Sequence, residues 1–321
     1  MCAKPNNSSF DIKRYVSDPQ NKAKLVKILS IVLVVSVLCV GLLLAKRIFL
    51  DDNIGWVLSE DGVLTISGTG DIKDFDPLKP DEWLKLKSGE SVKKIVIEEG
   101  ITGIGNYAFY KCNKATEVVL PRSLKSVGDF AFMECTKLTG IKLKENVTEI
   151  GKGAFYNCTA AKTVELATGI KSIGYDAFYG TGYYNTADMW RDGVLYIGNY
   201  LVDVKTDAKG ELVAKDGTTL VADYAFSQCT AIERVILPDE TASVGKYAFN
   251  SCTSLKQVVF EGKLQGFSEG LFWDCYALEK ISGPHIEKDP TFYEKTAGEG
   301  WSHNAGHGHD QIDGNYFNYT E

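Results

Sequence analysis

A phenylalanine returns every 23 residues along much of this chain, and that interval constrains the fold more than any other feature. Phe109, Phe132, Phe155 and Phe178 keep the spacing, and Phe226, Phe249 and Phe272 resume it after a gap of 48. Six of the eight cysteines obey the same ruler: Cys112, Cys135, Cys158, Cys229, Cys252 and Cys275 each stand three residues after a repeat Phe. A fixed period of this length belongs to stacked supersecondary units, each too small to bury its own apolar face, rather than to one globular core.

Each unit reads in the same order. Two apolar residues flank a variable one, as in Ile95-Ile97, Val118-Leu120, Ile141-Leu143, Val164-Leu166, Val235-Leu237 and Val258-Phe260, which is the period-two pattern of a short strand with one buried face. A second apolar pair follows, for example Leu124-Val127 and Ile170-Ile173. Gly105, Gly128, Gly151, Gly174 and Gly245 then mark either a positive φ or a close approach between coils. Phe, Cys and a further apolar residue such as Leu138, Ile232, Leu255 or Leu278 fall at i, i+3 and i+6, which predicts a short helical or 3-10 turn. Stacking at the strand spacing of roughly 4.8 Å sets Phe on Phe and Cys on Cys, so every period-23 residue is an interior residue first. The gap of 48 is two periods plus two residues. Its second part, Gly193 to Phe226, keeps alternating apolar positions and reads as a degenerate coil with a projecting turn. The count comes to about eight coils.

The unit resembles the BspA-type leucine-rich repeats of bacterial surface proteins, in the form I-x-x-I-G-x-x-A-F-x-x-C-x-x-L seen from Ile101 to Ala115 and from Leu124 to Leu138. The segment from Gly55 to Gly70, with Gly55-Trp56-Val57-Leu58 and Gly62-Val63-Leu64-Thr65-Ile66, is similar to the leader that precedes such arrays. The resemblance covers residues 55 to 283. It implies a curved, mainly β, leucine-rich-repeat-like solenoid with a role in adhesion or protein binding, and it brings no catalytic residues.

Ahead of the repeats, Ile28 to Ala45 is a run of eighteen residues without a charge. As an α-helix it would be about 27 Å long, and adding Ile48, Phe49 and Leu50 covers a hydrocarbon core of about 30 Å. Lys4, Lys13, Arg14, Lys22, Lys24 and Lys27 precede it, whereas only Lys46 and Arg47 follow before Asp51 and Asp52. The positive-inside bias therefore predicts a single-pass cell-membrane protein, amino terminus in the cytoplasm and repeats outside. A cleaved secretory signal would have a shorter apolar region and a small-residue exit, unlike Leu43-Leu44-Ala45-Lys46. Lipid attachment at Cys39 is disfavoured by the large Leu38 before it. The first 27 residues hold six basic and two acidic side chains, which leaves 29 basic against 40 acidic for the rest, a net charge of −11. That sign repels phosphate backbones, so nucleic acid is not an expected partner.

The repeat absorbs most residues that carry chemistry elsewhere. Equivalent cysteines of adjacent coils point in parallel, poorly placed for the dihedral of about 90° that a disulfide needs, so buried free thiols are expected. Thr181 occupies the Cys position after Phe178. His303, His307 and His309 with Asp310 offer imidazole and carboxylate donors for a metal, but their spacing matches no helical metalloprotease pattern, and the surrounding glycines describe a loop or tail. No cofactor is expected. No nucleophile–base pair or carboxylate pair stands outside the repeat, so the chain reads as a non-enzyme.

Two surface sets remain for function. Directly after the repeat Phe stand Tyr110, Tyr156, Tyr179 and Trp273, with Met133 in register. Rigidly held Tyr and Trp are frequent binding anchors, although they also stack on one another to shield a coil edge. The strand centres Val96, Val119, Lys142, Glu165, Ile236 and Val259 face away from the interior, and the central coils are more polar there. The organisation read from the sequence is a cytoplasmic tail 1–27, a membrane helix 28–50, an amino-terminal cap 51–91, the solenoid 92–283 and a carboxyl tail or cap 284–321. The expected function is a cell-surface binding or adhesion module for a protein or glycan ligand, the alternative being an envelope scaffold that displays the tail.

Overall fold

The computed structural model describes residues 46–51, 53–78, 92–264 and 268–284, the first of these stretches through its backbone alone. The repeats form a mainly β solenoid of about eight turns. One face carries the longer strands, which run parallel as Val63–Gly68, Lys94–Ile97 and Glu117–Val119, as Gly140–Lys142 with Thr163–Glu165, and as Lys209–Val213, Ala231–Leu237, Gln257–Phe260 and Lys280–Ser282. A second face stacks Gly70–Asp71, Ile101–Ile104, Ser126–Val127, Glu149–Ile150 and Ser172–Ile173. The third face consists of the turns that carry the repeat Phe and Cys. Alternation places Ile95, Ile97, Ile141 and Leu143 inside and leaves Lys142 and Glu165 outside, as the period-two pattern requires.

Interior columns run the length of the array. Successive Phe rings stack at 5.0 Å (Phe109 to Phe132), 5.3 Å (Phe132 to Phe155) and 5.6 Å (Phe155 to Phe178), and again at 4.8 and 5.3 Å through Phe226, Phe249 and Phe272. The six repeat cysteines are buried free thiols. Their thiols point along the axis: Cys135 donates to the carbonyl of Phe109 at 3.2 Å, Cys158 to Phe132 at 3.2 Å, Cys252 to Phe226 at 3.0 Å and Cys275 to Phe249 at 3.0 Å. Cysteine thus supplies a small apolar body with a weak donor aimed at a Phe carbonyl that also accepts the amide of its own coil's Cys position. Thr181 fills the same position with its hydroxyl on the carbonyl of Phe178, 2.8 Å away.

The turns are not helices. Hydrogen bonds of the i to i+3 kind link Tyr107 to Tyr110, Phe109 to Cys112 and Cys112 to Ala115, but Tyr107 and Lys111 have left-handed φ values of 58° and 60°. The same two positions, before and after Ala-Phe, are left-handed in Phe130 and Glu134, Tyr224 and Gln228, and Tyr247 and Ser251. This reversal interrupts any 3-10 run and turns the amide of each such residue along the axis, where that of Phe130 reaches the carbonyl of Lys152 at 2.8 Å. Intercoil hydrogen bonds offset the steric cost of a left-handed non-glycine residue. The 3-10 helix among the described residues is Ala187–Met189, outside the repeat turns.

Of the two roles open to the conserved-register glycines, close approach is the one realised. A Cβ on Gly128 would lie 2.7 Å from the carbonyl oxygen of Ile104 one coil earlier. The amino-terminal cap is a three-stranded antiparallel sheet of Lys46–Asp51, Ile54–Leu58 and Val63–Gly68, whose last strand turns the array over to parallel pairing. Trp56 is buried in it and starts the aromatic column, 5.6 Å from Phe109. The strand Lys46–Asp51 contains Ile48, Phe49 and Leu50, so these residues are part of the cap rather than the end of a helix reaching to residue 50. Among the described residues no helix is long and apolar enough to cross a membrane, and the run Ile28–Ala45 lies outside them.

Candidate functional site

The repeat lapses once, between Phe178 and Phe226. In regular coils the Phe follows the last apolar residue of the second face by five positions, as Phe155 follows Ile150 and Phe178 follows Ile173. In the intervening coil an antiparallel hairpin, Val194–Ile197 with Tyr200–Val204, brings the chain onto the second face, where Tyr200 and Leu201 pair with Leu220 and Val221. From Leu201 the chain runs straight to Val204, three positions on. Val204 takes the place of the Phe: its amide donates to the carbonyl of Ala225 at 2.8 Å, as that of Phe155 does to Ala177, and Cys229 directs its thiol to the carbonyl of Val204 at 3.8 Å. Asp203 consequently stands where Ala108, Ala131, Ala154, Ala177, Ala225 and Ala248 stand in the regular coils, all buried.

With two residues missing from the turn and Val in place of Phe, the turn face is indented. The result is a cavity of about 600 Å³ between the turn at Gly174–Tyr179 and the turn at 223–228, floored by 202–207 and flanked by Tyr184 and Trp190. The hairpin is tied in place by two tyrosine hydroxyls, that of Tyr200 buried and that of Tyr183 half-buried. Tyr200 donates to the carbonyl of Ala167 at 2.6 Å and accepts the amide of Ile170 at 3.2 Å, while Tyr183 donates to the carbonyl of Tyr196 at 2.9 Å.

Four carboxylates line this cavity: Asp176, Asp203, Asp207 and Asp223. Asp203 accepts the hydroxyl of Tyr184 at 2.9 Å and the amide of Val204 at 2.8 Å, yet burial outweighs both and pushes its carboxyl up to about 6. Burial also raises Asp176 against the pull of the Tyr175 hydroxyl and the Lys152 charge. Asp223 is raised by burial too, although it accepts the amide of Lys246 at 2.8 Å and lies near that residue's charge. The phenol of Tyr184 is pushed well above its ordinary value by burial and then by the adjacent Asp203. The three carboxyl shifts mark negative charge that the fold shields from water and that Lys152 at Asp176 and Lys246 at Asp223 offset only in part, while no cation acts on Asp203.

Of the aromatic residues singled out by register, Tyr179 lies in this cavity and is 42% exposed, with Tyr156 stacked behind it at 5.3 Å. Tyr110 packs edge-on against Tyr107 at 5.8 Å, and Trp273 does the same against Tyr247 at 6.1 Å, both away from the cavity. Lys142 and Glu165 pair with each other at 2.5 Å across neighbouring strands of the long-strand face. His303, His307, His309 and Asp310 lie outside the described residues, among which no group of three or more potential ligands is placed to hold a metal ion. Asp203, Asp176, Asp223, Tyr175, Tyr184, Trp190 and Tyr224 went unnoticed in the sequence. Counting register through the 48-residue gap, with Asp203-Val204 in the Ala-Phe place, would have found the first of them.

The model of the BspA type leucine rich repeat region matches in six copies, over residues 86–209 and 193–294. Solved structures with likeness to the chain include a leucine-rich repeat protein from Eubacterium ventriosum, 23% identical over 74% of this chain and 78% of that one, with a TM-score of 0.38. A leucine rich cell surface protein from Faecalibacterium prausnitzii is 18% identical over 78% of this chain and 97% of its own, with a TM-score of 0.30. The pneumococcal vaccine antigen PcpA is 15% identical over 74% and 87%, with a TM-score of 0.31. No curated protein matches.

Proposed function

The chain belongs to the BspA-type leucine-rich repeat family, and from that premise we propose that it is a non-enzymatic binding module of the cell surface. Its contact region is the cavity where the turn column breaks, and its ligand is a protein or glycan outside the cell. The supporting observation is the departure from plan at Asp203-Val204. In the regular coils the turn face buries an apolar pair, Ala-Phe or, in the last coil, Leu271-Phe272. Here a charged residue takes the buried Ala position beneath exposed tyrosines, at a stability cost that packing does not explain.

The charge asymmetry about Ile28–Ala45 supports an anchor with the repeats outside the cytoplasm. Eighteen uncharged, mostly apolar residues fall within the roughly 17–25 that span a bilayer, even with Lys46–Asp51 assigned to the cap. A protease added to intact cells should degrade the repeats while sparing a tag on the first residues, and protection of the repeats would refute this orientation. For binding, full-length protein on the cell surface is probed with arrays of peptides and glycans. Replacing Tyr179 by Ala should weaken capture of the retained ligand at least tenfold while the thermal midpoint stays put. Unchanged capture would favour the envelope-scaffold reading.

A further inference from the structure

We infer that the cavity receives a cationic group, the ammonium or guanidinium of a Lys- or Arg-bearing segment of a partner polypeptide. This rests on the cavity being the contact region, and it narrows protein or glycan to one chemistry.

The first support is the orientation of the aromatic rings. In the regular columns neighbouring rings are close to parallel, with angles of 1° to 26° between Phe rings, 19° between Tyr156 and Tyr179, and 20° between Tyr224 and Tyr247. Such rings cover one another's faces. Edge-on contacts such as Tyr107 with Tyr110 and Tyr247 with Trp273 occur singly elsewhere, whereas around the cavity three non-parallel contacts meet: Tyr179 and Tyr184 at 51°, Tyr184 and Trp190 at 85°, and Tyr175 and Tyr224 at 50°. Rings at these angles do not cover one another's faces and form the sides of a cage, whereas a sugar ring is best received by a flat platform. Tyr175 and Tyr179 remain 40% and 42% exposed. The negative face of an aromatic ring attracts a cation within about 6 Å of its centroid.

The chain itself already uses two of these rings in that way. The ammonium of Lys205 lies 5.3 Å from the centre of Trp190, and that of Lys152 lies 5.8 Å from the centre of Tyr175. Charge supplies the second support. Among the described lining residues, Asp176, Asp203, Asp207 and Asp223 face a single cation, Lys205. An incoming ammonium or guanidinium would supply Asp203 with the cation it lacks and add to what Lys152 and Lys246 give Asp176 and Asp223, drawing these three half-buried carboxylates back towards full ionisation. A neutral saccharide donates hydrogen bonds without neutralising charge, and an anion is repelled. The cavity, at about 600 Å³, also has room beyond a lone ammonium for the stem of the side chain and its flanking residues. This favours a polypeptide over a free amine.

The test uses the full-length chain in lipid nanodiscs and one blocked peptide in three forms, bearing Lys, acetyl-Lys or Glu at its centre, read by fluorescence anisotropy. Butylamine and a neutral gluco-oligosaccharide serve as competitors. The Lys peptide should bind saturably, and acetylation should weaken it at least tenfold. Asp203→Asn and Tyr179→Ala should each weaken it at least fivefold without lowering the thermal midpoint. Equal binding of the acetylated peptide, or tighter binding of the Glu peptide, would overturn the cationic assignment. Competition by the oligosaccharide alone would overturn it too, while leaving the cavity as the contact region. Butylamine competing as strongly as the Lys peptide would overturn the polypeptide source. Binding of the Lys peptide that survives both substitutions would remove the cavity from consideration and take this inference and the contact region down together.

Discussion

The coils from Lys94 to Tyr179 and the single coil between Phe178 and Phe226 share one hydrogen-bonding scheme and differ in what they bury. In both, the amide at the Phe position reaches the next coil's Ala carbonyl, at 2.8 Å from Phe155 and 2.8 Å from Val204. The regular coils then bury Ala-Phe, and the irregular one buries Val beside a carboxylate. In a solenoid the backbone ladder preserves the stack while the side-chain columns supply its cohesion, so one coil can give up its column and keep its place. The proposed contact region lies where the column is interrupted.

Truncation of a central column residue tests this contrast most strongly. Phe132 stacks on Phe109 and Phe155 and is fully buried, so Phe132→Ala should cost about 3–5 kcal/mol in denaturant unfolding. Val204→Ala should cost well under half of that, because fewer buried atoms are lost beside a cavity that already exists. Equal losses would mean that the irregular coil is as tightly packed as its neighbours.

The half-buried carboxylate comes next. With its folded-state value raised from 3.8 to about 6, Asp203 favours the folded state when protonated. Its ionisation therefore costs stability as pH rises from about 4 through about 6. Asp203→Asn should leave stability unchanged at pH 4 and raise it by about 2 kcal/mol at pH 7.5, the conversion being about 1.4 kcal/mol per unit with a discount for partial exposure. A gain of the same size at both pH values would show that charge is not the cause.

Cysteines distinguish the two regions more finely. Cys158 donates at 3.2 Å, whereas the thiol of Cys229, whose upstream coil is the irregular one, has partners at 3.8 and 3.6 Å. Cys158→Ala should cost about 1–2 kcal/mol and Cys229→Ala less, measured by chemical denaturation. Burial drives the thiol of Cys229 far above its ordinary value, so a thiol reagent should label it only upon unfolding. The smallest effect belongs to the exposed pair Lys142 and Glu165, which sits entirely within the regular coils. Lys142→Ala should change stability by less than about 0.5 kcal/mol. A larger loss would show that charges on the long-strand face help to bind the coils together.

Much of the array was legible because its signals are local and repeated. The Phe and Cys spacing, the alternation in Ile95-Val96-Ile97 and the glycines after the second apolar pair each report burial or approach directly. The left-handed residues were not legible. Tyr107, Lys111, Phe130 and Glu134 have no propensity for such a backbone, and they adopt it because the next coil offers a carbonyl to the turned amide. Lys46–Asp51 was misread for a related reason. Ile48, Phe49 and Leu50 continue an apolar run in the sequence, but the edge of the strand Ile54–Leu58 offers them a hydrogen-bonding partner.

The candidate site was half legible. Tyr156 and Tyr179 stood out by register, and the lapse in the period was plain, but Asp203 is one acid among the 42 acidic residues of the chain. Its meaning appears only when the hairpin Val194–Ile197 and Tyr200–Val204 places it in a row of alanines. The sequence by itself determined the period, the solenoid and the identity of the interior columns, because each coil must repeat the apolar positions that its neighbours bury. Tertiary structure alone decided where the column breaks and which side chains meet there, because a cavity depends on the length of chain spent in one turn relative to the turns stacked above and below it.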